Sequence, residues 1–255
     1  MIAAHQLTAL VDGFDGVAGI LLRDLATGEE AAWHPDTTFV AASLIKLPIL
    51  WHFYLACSRG ALDPDEQVTL LPEQMVPGFG VLRSLAPGLT LRLRDLATLM
   101  IVVSDNTATN LLIDRLGIGA IDASIQALGL TKTVLQRKMY DYSDPTRNNY
   151  TSPRDMVTLL CHFAANDQLT PAWQAALMQT LLGQQCRNKL PSGLAREVKL
   201  AHKTGDMPQI EHDVGIFFGS QRTLAVAVLT KDLARNVDGV TLCRQVGEMA
   251  YAVIQ

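Results

Sequence analysis

The sequence predicts an α/β fold in which a five-stranded antiparallel sheet is flanked by terminal helices and carries an inserted all-α subdomain. Two short strand-like stretches lie before residue 35, and three longer ones lie between residues 196 and 230. Between these groups, apolar residues recur at helical spacing. Short links join neighbouring strands within each group, which favours antiparallel pairing.

The first predicted elements are a helix over residues 2–12 and a strand hairpin. The segment GVAGILLRDLATGEEAAWH predicts the hairpin, because its two apolar stretches flank the turn Ala26-Thr27-Gly28. A long helix follows in LIKLPILWHFYLACSRG and ends at Gly60, a residue typical of helix C-caps. Pro48 fits a helix only near its start, so this helix is predicted to begin at or just before Ser43.

Helical periodicity continues to residue 184, and strands return after it. The helical segments are LRLRDLATLMIVVSDNTATNLLIDRLG, GAIDASIQALG, SPRDMVTLLCHFAAND and PAWQAALMQTLLGQ. The later strands are REVKLAHKTGD, IEHDVGIFFG and RTLAVAVLT, and the last helix is VDGVTLCRQVGEMAYAVI. We expect one sheet in a subdomain of residues 1–42 and 190–255, with residues 43–189 inserted as helices. A ligand site is expected in the cleft between them.

The composition of the 255 residues indicates a soluble globular protein, with 49% hydrophobic and 18% charged residues. The net charge of −4 provides no basic field for a nucleic acid. No apolar run reaches the length of a membrane span, and MIAAHQLTALVDGFDG lacks the cationic start of a signal peptide. Two locations stay open, the cytoplasm or, if an export signal preceded this sequence, the outside. We expect a monomer that acts on a small molecule.

The cysteines predict neither a disulfide framework nor a metal site. All four lie far apart, form no CxxC pair and have no histidine at metal-ligand spacing: Cys57, Cys161, Cys186 and Cys243. Cys57 and Cys161 lie in apolar helical surroundings, where a buried free thiol is expected rather than a redox pair. The six histidines are scattered too. No metal or other cofactor is therefore predicted.

The segment ASLIKLPIL contains Ser43-x-x-Lys46, which has two interpretations. Residues three apart share a helix face, so Ser43 and Lys46 could form a hydrogen bond. The helix after Lys46 is apolar on every face and hence buried, and burial lowers the pKa of a lysine enough for it to act as a base. A serine next to such a base becomes a nucleophile. Alternatively, Ser43 is only the N-cap of this helix.

Two further short motifs carry polar groups at the ends of apolar elements. Ser104-Asp105-Asn106 follows LATLMIVV and is either a turn or helix cap, or a hydroxyl that passes a proton together with an amide that holds a substrate carbonyl. Lys203-Thr204-Gly205 ends the strand containing VKLA. It is either a β-turn or a carboxylate site, with Gly205 allowing close approach and the N–H of Asp206 facing an oxyanion.

The three motifs together, in this order and on these elements, resemble the penicillin-recognising serine enzymes, and their spacing is similar to that of the class A β-lactamases. The likeness covers nearly the whole chain and implies a β-lactamase or transpeptidase-like fold. It implies that Ser43 is acylated and that Lys46 is its base or proton relay. It also implies that Ser104 protonates the leaving nitrogen.

The resemblance implies substrate contacts as well. Asn106 would hold the amide side chain of the substrate, and Lys203 with Thr204 would hold its carboxylate next to Gly205. The backbone N–H groups of Ser43 and Asp206 would form the oxyanion hole. The segment LQRKMYD would open the loop that carries the deacylation groups, and NYTSP would close it.

The chain departs from the class A pattern in this loop. The family has a glutamate two residues after the arginine that opens the loop, and it activates the water that releases the acyl group. Here Arg137 is followed two residues later by Met139, which cannot accept a proton. Either Asp141 replaces the glutamate, or the enzyme works like D-alanyl-D-alanine peptidases, which lack it. Asp141 could also be a turn-forming carboxylate.

Two other positions differ from the family. Asn149 stands where the family often has an aspartate paired with the opening arginine, so a neutral hydrogen bond is expected there. Val214 stands before Gly215 where many relatives have an arginine that assists carboxylate binding. Lys203 and Thr204 would then suffice, or Arg187 would help from the side.

Three functions remain after these observations. The first is a serine hydrolase that opens β-lactams, with slow deacylation. The second is a D-alanyl-D-alanine peptidase or esterase-like enzyme, and the third is a β-lactam-binding acyl trap or sensor. All three need Ser43 and Lys46, and they differ in the fate of the acyl group once it is on Ser43.

Overall fold

A computed structural model of the chain describes residues 4–165, 168–195 and 197–255. It contains eight α-helices in these residues: α1 (Ala4–Val11), α2 (Lys46–Ser58), α3 (Leu93–Val102), α4 (Asn106–Leu116), α5 (Ile118–Ala127), α6 (Pro153–Ala165), α7 (Pro171–Leu182) and α8 (Asn236–Ile254). The strands are β1 (Val17–Asp24), β2 (Glu30–Trp33), β3 (Phe39–Val40), β4 (Gln67–Thr69), β5 (Thr90–Arg92), β6 (Tyr150–Thr151), β7 (Lys199–Met207), β8 (Ile210–Phe218) and β9 (Thr223–Lys231). The predicted elements at residues 2–3, 166–167 and 196 lie outside the described residues.

The predicted five-stranded antiparallel sheet is confirmed, with the strand order β2-β1-β9-β8-β7. All of its neighbouring strands pair antiparallel. Strand β7 lies at one edge of this sheet, and it carries the Lys203-Thr204-Gly205 motif. The first and last strand groups of the sequence therefore meet in the middle, through the pairing of β1 with β9.

Helices cover both faces of the sheet, which explains why its central strands are apolar throughout. Successive side chains of a strand point to opposite faces. On β9, Val226 and Val228 belong to a core with α1 and α8, whereas Ala225 and Ala227 belong to a second core with the helices of the middle of the chain. The terminal helices thus pack on one face, as predicted.

Helix α2 runs through the second core. Its side chains are buried on all sides, as the all-round apolar pattern predicts, and Trp51 stacks on Phe163 of α6. A 3-10 turn over Ala42–Ile45 precedes the α-helix, which begins at Lys46 rather than at Ser43. Pro48 therefore lies in the first turn, where its missing N–H breaks no helical hydrogen bond.

Two small sheets escaped the sequence analysis because their strands are two or three residues long. Strands β3 and β6 pair Phe39 with Thr151 and Val40 with Tyr150, and β4 pairs with β5. Next to the first pair, Ala41 N–H donates to Asn149 O at 2.8 Å. The end of the 137–149 loop is thereby fixed beside the turn that carries Ser43. Across residues 4–165, 168–195 and 197–255, no helix is long and apolar enough to cross a membrane.

Candidate active site

Ser43 lies in the 3-10 turn at the entrance of the buried helix α2 and lines a cleft of about 370 Å³. Ala42 before it has φ +44°, a conformation that non-glycine residues rarely adopt and that is often found at functional sites. The residues at the cap positions are Ala41 for the turn and Ile45 for the helix, and neither makes a side-chain cap bond. Ser43 is therefore not the N-cap of α2, and its hydroxyl is available to other partners.

The partner of Ser43 is Ser104, which donates a hydrogen bond from its Oγ to Ser43 Oγ at 2.9 Å. Ser104 Oγ in turn accepts from Lys46 Nζ and from Lys203 Nζ, both at 3.0 Å. Among the described contacts, no hydrogen bond joins Lys46 directly to Ser43, in contrast to the sequence-based expectation. The structure instead places the Ser104 hydroxyl between them.

Lys46 is fully buried and faces three oxygen acceptors. They are Ser104 O at 2.7 Å, Asn106 Oδ1 at 2.8 Å and Ser104 Oγ. Burial, and next the positive charge of Lys203, hold the pKa of Lys46 well below the usual value for lysine. The side chain thus has the dry surroundings that the apolar helix predicts, and its ammonium is disfavoured there.

The Ser104-Asp105-Asn106 segment is both a helix cap and a source of polar groups for the cleft. Asp105 is the N-cap of α4, where its Oδ1 accepts from Ala108 N–H at 2.9 Å. Its Oδ2 holds the 77–82 loop through the N–H groups of Val81 and Leu82. Ser104 has φ +55°, which turns its hydroxyl toward Ser43. The cap interpretation of this motif therefore applies to Asp105, and the roles of Ser104 and Asn106 toward a substrate stay a prediction.

Lys203 and Thr204 lie buried in the edge strand β7 and do not belong to the described residues that line the cleft. Lys203 Nζ also donates to Thr204 O at 2.8 Å, and burial lowers the pKa of Lys203 to about 8. Within the described part of the chain, the buried Thr204 Oγ1 has no hydrogen-bond partner. An unpartnered hydroxyl of this kind is costly in the folded protein, which is typical of a group kept for a ligand.

Gly205 allows a close approach, but the approaching group is the turn that carries Ser43. A Cβ at this position would lie 3.3 Å from Ala42 Cβ and 3.4 Å from Ala41 O. A side chain on residue 205 would therefore push this turn away from β7. The sequence had instead suggested that the backbone of a substrate would approach here.

The N–H of Asp206 points away from the sheet toward the cleft. Asp206 lies opposite Glu211 of β8, and the backbone N–H and C=O of Glu211 both bond to Thr230 Oγ1 of β9. Since the backbone of Glu211 faces β9, its pair with Asp206 is a non-hydrogen-bonded pair of the β7–β8 ladder. Asp206 lines the cleft together with Ser43. The two residues named for the oxyanion hole are thus brought to the same cleft.

Met139 and Asp141 differ in their position relative to the cleft. Asn110 of α4 fixes the Met139 backbone, accepting from its N–H at 2.8 Å and donating to its carbonyl at 3.0 Å. Met139 lines both the cleft and a neighbouring groove, whereas Asp141 lines the groove with Asp114 and Lys138. The Asp141 carboxylate accepts from the N–H and the hydroxyl of Ser143, the arrangement of a turn-forming residue.

Arg137 and Asn149 are in contact, but not through the guanidinium. Asn149 Oδ1 accepts from the N–H groups of Gln136 and Arg137, and its Nδ2 donates to Arg137 O at 3.0 Å. The guanidinium donates to Asn148 Oδ1 at 3.0 Å and lies 4.8 Å from the ring centre of Tyr142. Asn149 therefore closes the loop through neutral hydrogen bonds with backbone groups, and the charged guanidinium binds Asn148 instead.

The rim of the cleft is apolar and aromatic, a feature that the sequence analysis missed because these residues lie in loops without periodicity. Three exposed aromatic side chains belong to it, those of Phe79, Tyr140 and Tyr142. Met207 and Pro208 continue it on the side of β7. Arg187 does not belong to the described residues that line the cleft. Val214 is fully buried in β8. An apolar substituent would fit this rim.

The sequence analysis also missed Lys189, a buried lysine behind β7. Its Nζ contacts the side chains of Asp206 and Glu211 at 2.7 Å and 2.5 Å. The segment CRNKLPSG around it has neither a motif nor a periodicity, so no signal in the sequence singles it out.

Comparison with known proteins gives one family over the whole chain. The family model described as "Beta-lactamase enzyme family" matches residues 3–254. Among curated proteins, the chain is 24% identical to "Beta-lactamase regulatory protein BlaB" of Streptomyces cacaoi, over 85% of this chain and 85% of that protein.

Solved structures are similar over nearly the full length. The beta-lactamase of Sphaerobacter thermophilus has a TM-score of 0.93 at 29% identity, covering 99% of this chain and 98% of the other. A PBP-A mutant in which glutamate replaces a leucine, in an acyl-enzyme complex with penicillin-G, has a TM-score of 0.90 at 32% identity. It covers 98% of this chain and 95% of the other.

Proposed function

This chain belongs to the beta-lactamase enzyme family, and we propose that it is a serine hydrolase that opens β-lactam amide bonds through an acyl-Ser43 intermediate. The family and the fold support a hydrolase of β-lactams. The observation that carries the serine mechanism is the hydrogen-bonded chain in which Ser104 joins Ser43 to two buried lysines, Lys46 and Lys203.

The proton of Ser43 leaves through Ser104. The three acceptors around Lys46 Nζ match the three N–H groups of an ammonium, whereas an amine has two N–H groups and one lone pair. When Lys46 is an amine, its bond with Ser104 reverses and the Ser104 hydroxyl donates to Lys46. Ser104 Oγ then accepts the Ser43 proton as it passes its own to Lys46.

During acylation, protons pass along Ser104 and Lys46 first away from Ser43 and then back toward the substrate. Ser43 Oγ attacks the carbonyl carbon, and the N–H groups of Ser43 and Asp206 stabilise the oxyanion. When the carbon–nitrogen bond breaks, Ser104 gives a proton to the leaving nitrogen and regains one from Lys46. The ester on Ser43 and a neutral amine remain, and Lys46 is again an amine.

The proposed substrate contacts combine two buried polar groups of β7 with groups that line the cleft. A carboxylate of the substrate would bind Lys203, whose ammonium prevails below a pKa of about 8, and the free hydroxyl of Thr204. Asn106 would hold the amide of the acyl side chain. The rim of Phe79 and Tyr142 favours an apolar or aromatic group on that side chain.

Release of the acyl group is the slow step in this proposal. The methionine at position 139 faces the cleft without a group that can accept a proton from water. The carboxylate of Asp141 is bound to Ser143 and faces the neighbouring groove. A missing general base slows hydrolysis about a hundredfold to ten-thousandfold.

The same observation favours a second candidate, in which the acyl group goes to another acceptor or stays. This is a D-alanyl-D-alanine peptidase or esterase-like enzyme, or an acyl trap or sensor for β-lactams. The penicillin acyl-enzyme of the similar PBP-A mutant and the regulatory name of the similar BlaB support it.

Mixing the protein with a chromogenic cephalosporin separates these functions. Steady turnover at a rate proportional to enzyme supports the hydrolase, and a single stoichiometric burst with a mass increase on Ser43 supports the second candidate. Turnover of a D-alanyl-D-alanine ester then separates the peptidase from the trap. Ser43→Ala should abolish the adduct, while Ser220→Ala on the surface should not. Wild-type protein that forms no adduct would contradict the assignment of Ser43.

A further inference from the structure

Lys189 lies behind the edge strand β7, with its side chain fully buried. Its Nζ donates to the backbone carbonyls of Gly205 at 3.0 Å and His212 at 3.1 Å, and it forms ion pairs with the carboxylates of Asp206 and Glu211. Burial acts to lower the pKa of Lys189, but the neighbouring carboxylates outweigh it and raise the pKa. Lys189 is therefore an ammonium at neutral pH.

The carbonyl of Gly205 and the N–H of Asp206 belong to one planar peptide group. Lys189 Nζ contacts the carbonyl oxygen of this peptide group. The N–H of the same peptide, that of Asp206, points from the free edge of β7 into the cleft. A cation at the oxygen draws electrons from the nitrogen, so the N–H becomes more positive and a stronger donor. The ammonium also fixes the plane of the peptide.

We propose that Lys189 is a positioning residue that orients and polarises the Gly205–Asp206 peptide, so that the Asp206 N–H stabilises the oxyanion formed at Ser43. This inference rests on the proposed acylation of Ser43. It explains why the chain buries an ammonium behind a strand, since an apolar side chain of similar size would avoid the cost of removing that charge from water. It also assigns a role to a residue outside the three motifs.

A purely structural role for Lys189 is the competing explanation, because the lysine separates two carboxylates, those of Asp206 and Glu211. Lys189→Met removes the cation and leaves these charges facing each other. Adding Glu211→Gln to that variant removes most of this repulsion and keeps a foldable protein. Lys189→Arg keeps a charged donor. Lys199→Met, at the exposed start of the same strand, is the matched control.

The measurements are the single-turnover acylation rate with a chromogenic cephalosporin, its half-saturation concentration, thermal unfolding, and the carbonyl stretch of the acyl-enzyme in isotope-edited infrared spectra. We expect Lys189→Met, alone and with Glu211→Gln, to lower the maximal rate about tenfold. The half-saturation concentration should stay within twofold. The stretch should move to higher wavenumber, because a weaker donor polarises the carbonyl less. Lys189→Arg should recover part of both effects.

The inference is overturned if the double variant acylates at the wild-type rate with an unchanged carbonyl stretch. It is also overturned if the loss follows thermal stability alone, with no shift of the stretch in folded protein. A wild-type protein that forms no Ser43 adduct refutes the proposed function, and the role of Lys189 falls with it. If the wild-type protein is acylated and the Lys189 variants are acylated at the same rate, the role of Lys189 is refuted but the proposed function is not.

Discussion

Replacing Thr204 with valine should stabilise the protein and weaken its binding of carboxylates at the same time. The two side chains have nearly the same shape, and the change removes one hydroxyl that is buried and has no partner among the described residues. The folded state bears the cost of burying this hydroxyl, whereas the unfolded chain hydrates it. The opposite signs of the two effects make the prediction specific.

The expected changes in stability and in kcat/KM follow from the Thr204 hydroxyl without a partner and from the same hydroxyl bound to a substrate carboxylate. An unsatisfied buried polar group costs about 1–3 kcal/mol, so Thr204→Val should raise the free energy of unfolding by about 1 kcal/mol or more. For a chain of this size that is an increase in Tm of about 2–4 °C. A hydrogen bond to a charged group contributes about 1.5–3 kcal/mol, so acylation by carboxylated substrates should fall about tenfold to a hundredfold in kcat/KM.

The assay combines thermal unfolding with acylation by two substrates, a carboxylated cephalosporin and its methyl ester. In Thr204→Val, kcat/KM for the methyl ester should fall little, since the ester has no carboxylate for Thr204 to bind. Thr230→Val is the matched control, because Thr230 Oγ1 is equally buried but donates to Glu211 O at 2.6 Å and accepts from Glu211 N–H. That variant should be destabilised. A lower Tm for Thr204→Val, or equal losses with both substrates, would refute the reasoning.

Met139, Lys203 and His212 each provide a further test. Met139→Glu should speed release of the acyl group about a hundredfold or more, because a carboxylate at a position that lines the cleft would supply the missing general base. Mass spectrometry of the Ser43 adduct over time measures this rate. An unchanged rate, combined with loss of release in Asp141→Asn, would assign the base to Asp141. Lys203 has a pKa of about 8, so kcat/KM for carboxylated substrates should fall about tenfold per pH unit above that value. Lys203→Arg should show no such fall, and an equal fall in this variant would contradict the assignment. Burial lowers the pKa of His212 from 6.5 to about 4, so the unfolded chain binds a proton in this window and the folded protein does not. The free energy of unfolding should therefore decrease by about 3 kcal/mol as the pH falls from 6.5 to 4, and it should stay constant below pH 4. Denaturant titrations measure this decrease, and His212→Gln should lack it.

The sequence predicted the sheet and the major helices because their periods come directly from burial. Strand β9 is apolar on both faces and α2 is apolar all round, and each pattern follows from the packing on its sides. Strands β3 and β6 have two residues each, which is too short for an alternation of buried and exposed side chains to be recognised. The 3-10 turn before Lys46 was also beyond prediction, since the same letters are compatible with an α-helix.

The site was predictable to the extent that it lies in motifs. Ser43, Lys46 and Lys203 were identified from spacing, and the structure brings them within one hydrogen-bonded chain. The order of that chain was not predictable, because the position of Ser104 between the others depends on its φ of +55° at the junction of α3 and α4. Lys189 was missed because its partners come from two strands that meet it only after folding.

Strand β7 ends the sheet without a neighbouring strand on its outer side. Such an open edge can recruit strands from other molecules and lead to aggregation. Here the turn before α2 covers part of the edge at Gly205, and a side chain there would be in contact with Ala42. The stretch at Asp206 and Met207 borders the cleft. The turn that carries the candidate nucleophile therefore has a second consequence, because it blocks the addition of another strand to β7 at Gly205.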